Sequence, residues 1–77
     1  MNREDIKDKI IKIAEETIGA YLREDELLIE SGVDSLSLVT LIVSIEEEFG
    51  ITFFDDDLRP ENLRTLSSLI SLTEKYL

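Results

Sequence analysis

Apolar residues return every three or four positions along most of this chain, in runs broken only by a few glycines and one proline. That period matches one face of an α-helix and commits the chain to packed helices rather than a sheet. The first run, Arg3 to Ile18, places Ile6, Ile10, Ile13, Ala14 and Thr17 on one face. Asn2 stands where an N-cap belongs, Glu4 and Asp5 suit the positive end of the helix dipole, and Gly19 supplies the stop. A second helix is predicted from Asp34 or Ser35 to about Phe49, with Gly50 as its stop. A short third helical turn is expected near Asp56 to Arg64, with Pro60 inside or opening it. Thr65 then caps a last helix whose face carries Leu66, Leu69, Ile70, Thr73, Tyr76 and Leu77.

Two segments lie outside these runs. Residues 20–34 are irregular and acidic, with Leu22, Leu27, Leu28 and Val33 available to pin the loop across the bundle. A loop this long in so small a domain points to function or to a bridging path. Ile51 to Phe54 reads as a strand by composition, yet nothing offers it a partner. An extended link whose aromatic rings plug the core is therefore expected. The expected fold is all-α: a four-helix bundle with a short third helix and a long loop between the first two helices, one domain over residues 1–77.

Composition narrows what such a bundle can do. A chain of 77 residues buries only roughly 60% of the surface it exposes when unfolded, which leaves one thin core and no room for an elaborate active site. The 43% apolar share opposes disorder. With no His and no Cys, a Ser-His-Asp triad, a cysteine nucleophile, a zinc site of the usual ligands and disulfides are all excluded. No apolar run approaches the roughly 20 residues of a membrane span, and no signal peptide is recognised, so the cytoplasm is the expected compartment. Eighteen acids against eight bases give a net charge of −10. That balance disfavours nucleic acid and anionic membrane as partners and favours basic protein surfaces, with the chain itself a monomer.

The second helix carries more apolar surface than one core needs. At about 100° per residue, Leu38, Leu41, Ile42, Ile45 and Phe49 form one core-facing stripe, and Ser37, Thr40, Ser44, Glu47 and Glu48 form a polar strip. Leu36, Val39 and Val43 remain between them, with Glu46 alongside. This second stripe starts beside Ser35 and ends at Glu46-Glu47-Glu48. It either packs on another helix of the bundle or forms a docking face, apolar at its centre and acidic at its end.

The string Gly32-Val33-Asp34-Ser35-Leu36 at the start of an amphipathic helix resembles the attachment signature of the acyl carrier protein family. Further agreement lies in Leu27-x-x-x-x-Gly32, in Glu46-Glu47-Glu48-Phe49-Gly50-Ile51, and in Asp57-Leu58-x-Pro60-Glu61-Asn62-Leu63-x-Thr65-Leu66, all in the family's order. The resemblance implies a non-catalytic carrier bearing a 4′-phosphopantetheine arm on Ser35. A separate phosphopantetheinyl transferase supplies the arm from coenzyme A, and its terminal thiol holds the cargo as a thioester. It further implies that Asp34 serves the transferase's metal–coenzyme A complex and that Leu36 contacts partners. The proposed docking face then comprises Leu36, Val39, Val43, Glu46 and Glu47, offered to acyl-loading and acyl-processing enzymes with basic patches. The absence of Cys fits, because the reactive sulfur arrives with the arm.

Many fatty-acid carriers have carboxylates where this chain has Ser37 and Thr40. That departure, with the Pro60-Glu61-Asn62-Leu63-x-Thr65 segment, resembles carriers of specialised acyl or polyketide pathways. Housekeeping fatty-acid synthesis, an aminoacyl or peptidyl carrier, and an unmodified acidic adaptor are the alternatives. Val33-Asp34-Ser35-Leu36 superficially resembles the Gly-Asp-Ser-Leu esterases, but no His exists to serve as base. Asp55-Asp56-Asp57 lacks the alternating ligands and central Gly of a calcium loop, so no specific metal site is expected.

Overall fold

The computed structural model describes residues 1–77. Three α-helices form where the periodicity places them: α1 (Arg3–Ile18), α2 (Ser35–Phe49) and α3 (Leu66–Lys75). Each begins with a side-chain cap. Asn2 Oδ1 accepts from the Asp5 N–H at 2.8 Å, and Asp34 Oδ1 accepts from the Ser37 N–H at 2.8 Å. Thr65 and Ser68 exchange backbone and hydroxyl bonds at 3.0 Å in both directions. Such caps satisfy N–H groups that the helix itself leaves unpaired, each worth about 1 kcal/mol.

The expected short third helix is instead two 3-10 turns, Asp55–Asp57 and Pro60–Asn62. Pro60 is the reason. Its ring keeps the preceding residue out of helical conformation, and Arg59 accordingly sits at ψ 153°, with Leu58 at ψ 52° before it. The Asn62 Nδ2 bridges the break by donating to the Asp57 carbonyl at 2.7 Å. The bundle therefore has three α-helices, and a turned connection stands in for the fourth.

The long loop is a bridging path. It carries a 3-10 turn at Leu28–Ser31, and its Leu28 N–H donates to the Arg64 carbonyl at 2.8 Å beside a single antiparallel bridge between Leu27 and Thr65. Leu22, Leu28 and Val33 are buried as expected, joined by Ala20, while Leu27 is half-buried. Gly32 closes the 3-10 turn at φ 88°, a left-handed conformation that costs a side-chain-bearing residue about 1–2 kcal/mol. A Cβ there would touch nothing, so backbone conformation alone calls for glycine. This turn aims Val33 inward and presents Asp34 and Ser35 at the start of α2.

Both other helices lean on α1. Ile6, Ile10, Ile13 and Ala14 of α1 meet Leu41, Ile42 and Ile45 of α2 and Leu66, Leu69, Ile70 and Leu72 of α3 in one core. Leu38 and Phe49 of the expected stripe are only half-buried. Thr17 and Leu77, expected on buried faces, are exposed, whereas Leu72 is buried off the anticipated face. The link at 51–54 divides its rings: Phe53 is buried, and Phe54 is 71% exposed. Both contact Tyr76, Phe53 edge-on at 5.1 Å and Phe54 tilted at 5.9 Å.

A polar tie fixes this link to the end of α3. The Tyr76 hydroxyl donates to Asp57 Oδ2 at 2.5 Å and accepts from the Phe54 N–H at 2.9 Å. Lys75 Nζ donates to Asp57 Oδ1 at 2.9 Å. The bond from Tyr76, then that from Lys75, holds the Asp57 carboxyl below its ordinary range. Burial, then the bond to Asp57, raises the Tyr76 phenol.

Candidate functional site

Ser35 is the first residue of α2 and is exposed. It owes that place to its neighbours: Gly32 turns the chain, Val33 anchors it in the core, and Asp34 caps the helix. The bond from the Ser37 backbone N–H holds the Asp34 carboxyl below the ordinary aspartate value. At this end of a helix, N–H groups and the dipole favour negative charge. A phosphodiester on Ser35 Oγ fits these surroundings, since the hydroxyl is accessible and stands at the anion-favouring end of a 15-residue helix.

Ser35 and Asp34 line a cleft of about 600 Å³ whose walls include Leu28, Val33, Leu38 and Leu63, with Arg64 at its edge. A second cleft, about 470 Å³, runs along α2 between Val39, Ile42 and Val43 and the connecting residues Phe53 and Leu58. Leu38 and Leu63 belong to both. An apolar groove thus leads from the serine along the helix.

The stripe singled out in the sequence lies on the surface: Leu36 is 81% exposed, Val39 61% and Val43 45%. Its acidic end divides by role in a way the sequence did not reveal. Glu46 Oε2 accepts from the Phe53 N–H at 2.8 Å, which holds the 51–54 link against α2. Glu48 pairs with Lys9 at 3.3 Å. Glu47 is exposed. Ser37 and Thr40 lie in the first turns of α2, with the Thr40 hydroxyl donating back to the Leu36 carbonyl at 3.2 Å. Arg64 was not anticipated as a site residue, because the tertiary pairing of residues 27–28 with 64–65 brings it to the cleft of Ser35.

Three helices around one core, an exposed helix-start serine and an apolar groove beside it define a small helical domain of the carrier-protein kind. The family model described as the phosphopantetheine attachment site matches residues 8–72, and the chain belongs to this family of phosphopantetheine-binding carrier proteins. It is a carrier and not an enzyme, and the cofactor of its family is phosphopantetheine. An acyl carrier protein of Thermotoga maritima is 36% identical over an alignment covering 99% of this chain and 96% of that protein. An acyl carrier protein of Buchnera aphidicola is 35% identical, covering 95% of this chain and 96% of the relative. Among solved structures, a chain of the crystal structure of Bradyrhizobium japonicum glycine:[carrier protein] ligase complexed with glycylated carrier protein superposes with a TM-score of 0.72. It is 25% identical, and the match covers 91% of this chain and 96% of that one. No helix is long and apolar enough to cross a membrane.

Proposed function

We propose that Ser35 is the residue that takes the 4′-phosphopantetheine arm, and that this chain carries acyl intermediates as thioesters in a specialised acyl or polyketide pathway. The observation that carries the reading is the exposed Ser35 at the first position of α2, at the head of an apolar groove. When bound, the arm supplies a thiol able to hold and release acyl groups. The chain's own residues do the rest. Asp34 fixes the helix start, Gly32 and Val33 set the approach, and the groove of Leu38, Leu63 and Ile42 gives apolar cargo a surface away from water. Burial there is worth roughly 25 cal/mol per Å² of apolar area.

Leu36, Val39 and Val43 form the docking face, with Glu46 and Glu47 as its acidic rim. Loading and processing enzymes with basic patches meet it, the rim charges setting encounter rate and partner choice. Ser37 and Thr40 leave the first turns of α2 uncharged, which supports service outside bulk fatty-acid synthesis.

An aminoacyl cargo is the second reading. It is supported by the likeness to the chain of the glycine ligase complex and to an aminoacyl carrier protein of Bradyrhizobium diazoefficiens, 26% identical over 84% of this chain and 78% of that one. Incubation with coenzyme A and a broad-specificity transferase is expected to add one arm, and none to Ser35→Ala. Modification persisting in Ser35→Ala, or falling on Ser31 or Ser37, overturns the assignment. The mass of the loaded species isolated from the host separates acyl from aminoacyl cargo.

A further inference from the structure

We infer that Arg64 is a positioning residue for the arm, pairing with the phosphodiester on Ser35 and holding it at the mouth of the cleft. The inference rests on the reading of Ser35 as the attachment residue.

Its basis is the distribution of positive charge. The chain has eight bases among eighteen acids, and most of the bases are already engaged. Arg3, Lys7, Lys9, Arg23 and Lys75 each form an ion pair, and Arg59 donates to the Asp56 carbonyl at 2.7 Å. Lys12 and Arg64 remain. Lys12 lies on α1 and lines neither cleft of the groove, whereas Arg64 lines the cleft that holds Ser35.

Within that cleft Asp34 is the one acid and Arg64 the one base. They form no ion pair, and the Asp34 carboxylate accepts from the Ser37 N–H at 2.8 Å as the cap of α2. An arginine in a chain of net charge −10 is thus left without a carboxylate partner in the same cleft as the hydroxyl that would receive a phosphate. Its backbone is fixed there: the Arg64 carbonyl accepts from the Leu28 N–H at 2.8 Å, and the neighbouring Thr65 bridges Leu27. A new anion on Ser35 arrives next to Asp34 and needs a compensating cation. Guanidinium is the group best matched to phosphate oxygens, through paired N–H donors.

The test compares the full chain before and after arm attachment from coenzyme A, in the wild type, Arg64→Gln and Arg64→Lys. Arg64 is exposed and its structural bond is made by the backbone, so the unmodified proteins should melt alike. Intact mass first establishes that the arm is present. At low salt, attachment should lower the melting temperature of Arg64→Gln by about 2–5 °C relative to the change in wild type, the range set by an exposed ion pair in a small domain. Arg64→Lys should recover part of this, and the difference should fade at high salt. In the wild type the Arg64 Nε–H resonance should shift on attachment. An arm-bearing wild type and Arg64→Gln with the same attachment shift at low salt, or an unmoved Nε–H resonance, overturns the role of Arg64 while leaving Ser35 intact. Failure of the wild type to take the arm overturns the attachment reading and this one together.

Discussion

Truncation of two neighbours on α2, Val43 and Ile45, separates the proposed docking face from the core. Val43→Ala removes two methyl groups from a side chain that is 45% exposed. At about 0.8 kcal/mol per fully buried carbon, that loses about 0.9 kcal/mol. Alanine returns up to about 0.5 kcal/mol through better helix propensity, so the net cost should lie between about 0.4 and 0.9 kcal/mol. Ile45 is fully buried in the core that the three helices share. Ile45→Ala removes three carbons and leaves a cavity, a loss of about 3–4 kcal/mol. Ile42, at 8% exposure, belongs with Ile45, whereas half-buried Phe49 should fall between the two classes. Urea and thermal denaturation read the difference. One kcal/mol moves the midpoint by about 4–8 °C in a domain of this size, so Val43→Ala should shift it by about 2–7 °C. If Ile45→Ala proves too unstable to populate the fold, Ile45→Val still predicts a loss of about 1 kcal/mol, above that of Val43→Ala. Equal losses at both positions would refute the reasoning and return Val43 to the core.

Added salt should raise the melting temperature, because a chain of net charge −10 repels itself and at 0.15 M the screening length is about 8 Å. A melting temperature indifferent to salt would mean that the charges are already compensated. In acid, Asp34 and Asp57 bind protons only below the ordinary value of 3.8 when folded. The stability they confer is therefore complete above that pH and is lost as pH falls through their folded values. Asp57→Asn should flatten this acid limb, and an unchanged pH profile would reject the role of the Tyr76–Asp57–Lys75 tie. For the pathway, the double change Ser37→Asp, Thr40→Glu should improve malonyl loading and condensation by fatty-acid enzymes at low salt, with the gain fading at high salt. Efficient turnover of the unaltered arm-bearing protein, matching a fatty-acid carrier, would restore ordinary fatty-acid synthesis.

The local features needed no tertiary information. The span and caps of α1 followed from Asn2, its apolar face and Gly19, and the start of α2 followed from Asp34 and Ser35. These are short-range effects: helical period, a side chain bonding an N–H three residues on, and a glycine at positive φ. The helix-start motif from Gly32 to Leu36 was legible for the same reason, since its residues are contiguous. The surface stripe was legible only as a surplus, because periodicity shows that α2 has two apolar faces but not which one the other helices cover.

The break of the expected third helix into two 3-10 turns was local as well, since Pro60 keeps Arg59 extended, an effect that periodicity does not weigh. Packing decided the rest. Of two adjacent rings, Phe53 entered the core and Phe54 did not, because the Glu46 carboxylate and the Tyr76 hydroxyl fix the backbone of the link between them. The acids of the 46–48 run look alike in sequence, yet one clamps that link, one pairs with Lys9 and one faces solvent. Arg64 stands 29 residues beyond Ser35 in the chain. The pairing of residues 27–28 with 64–65 brings it to the same cleft, and no local pattern encodes a contact between segments so far apart.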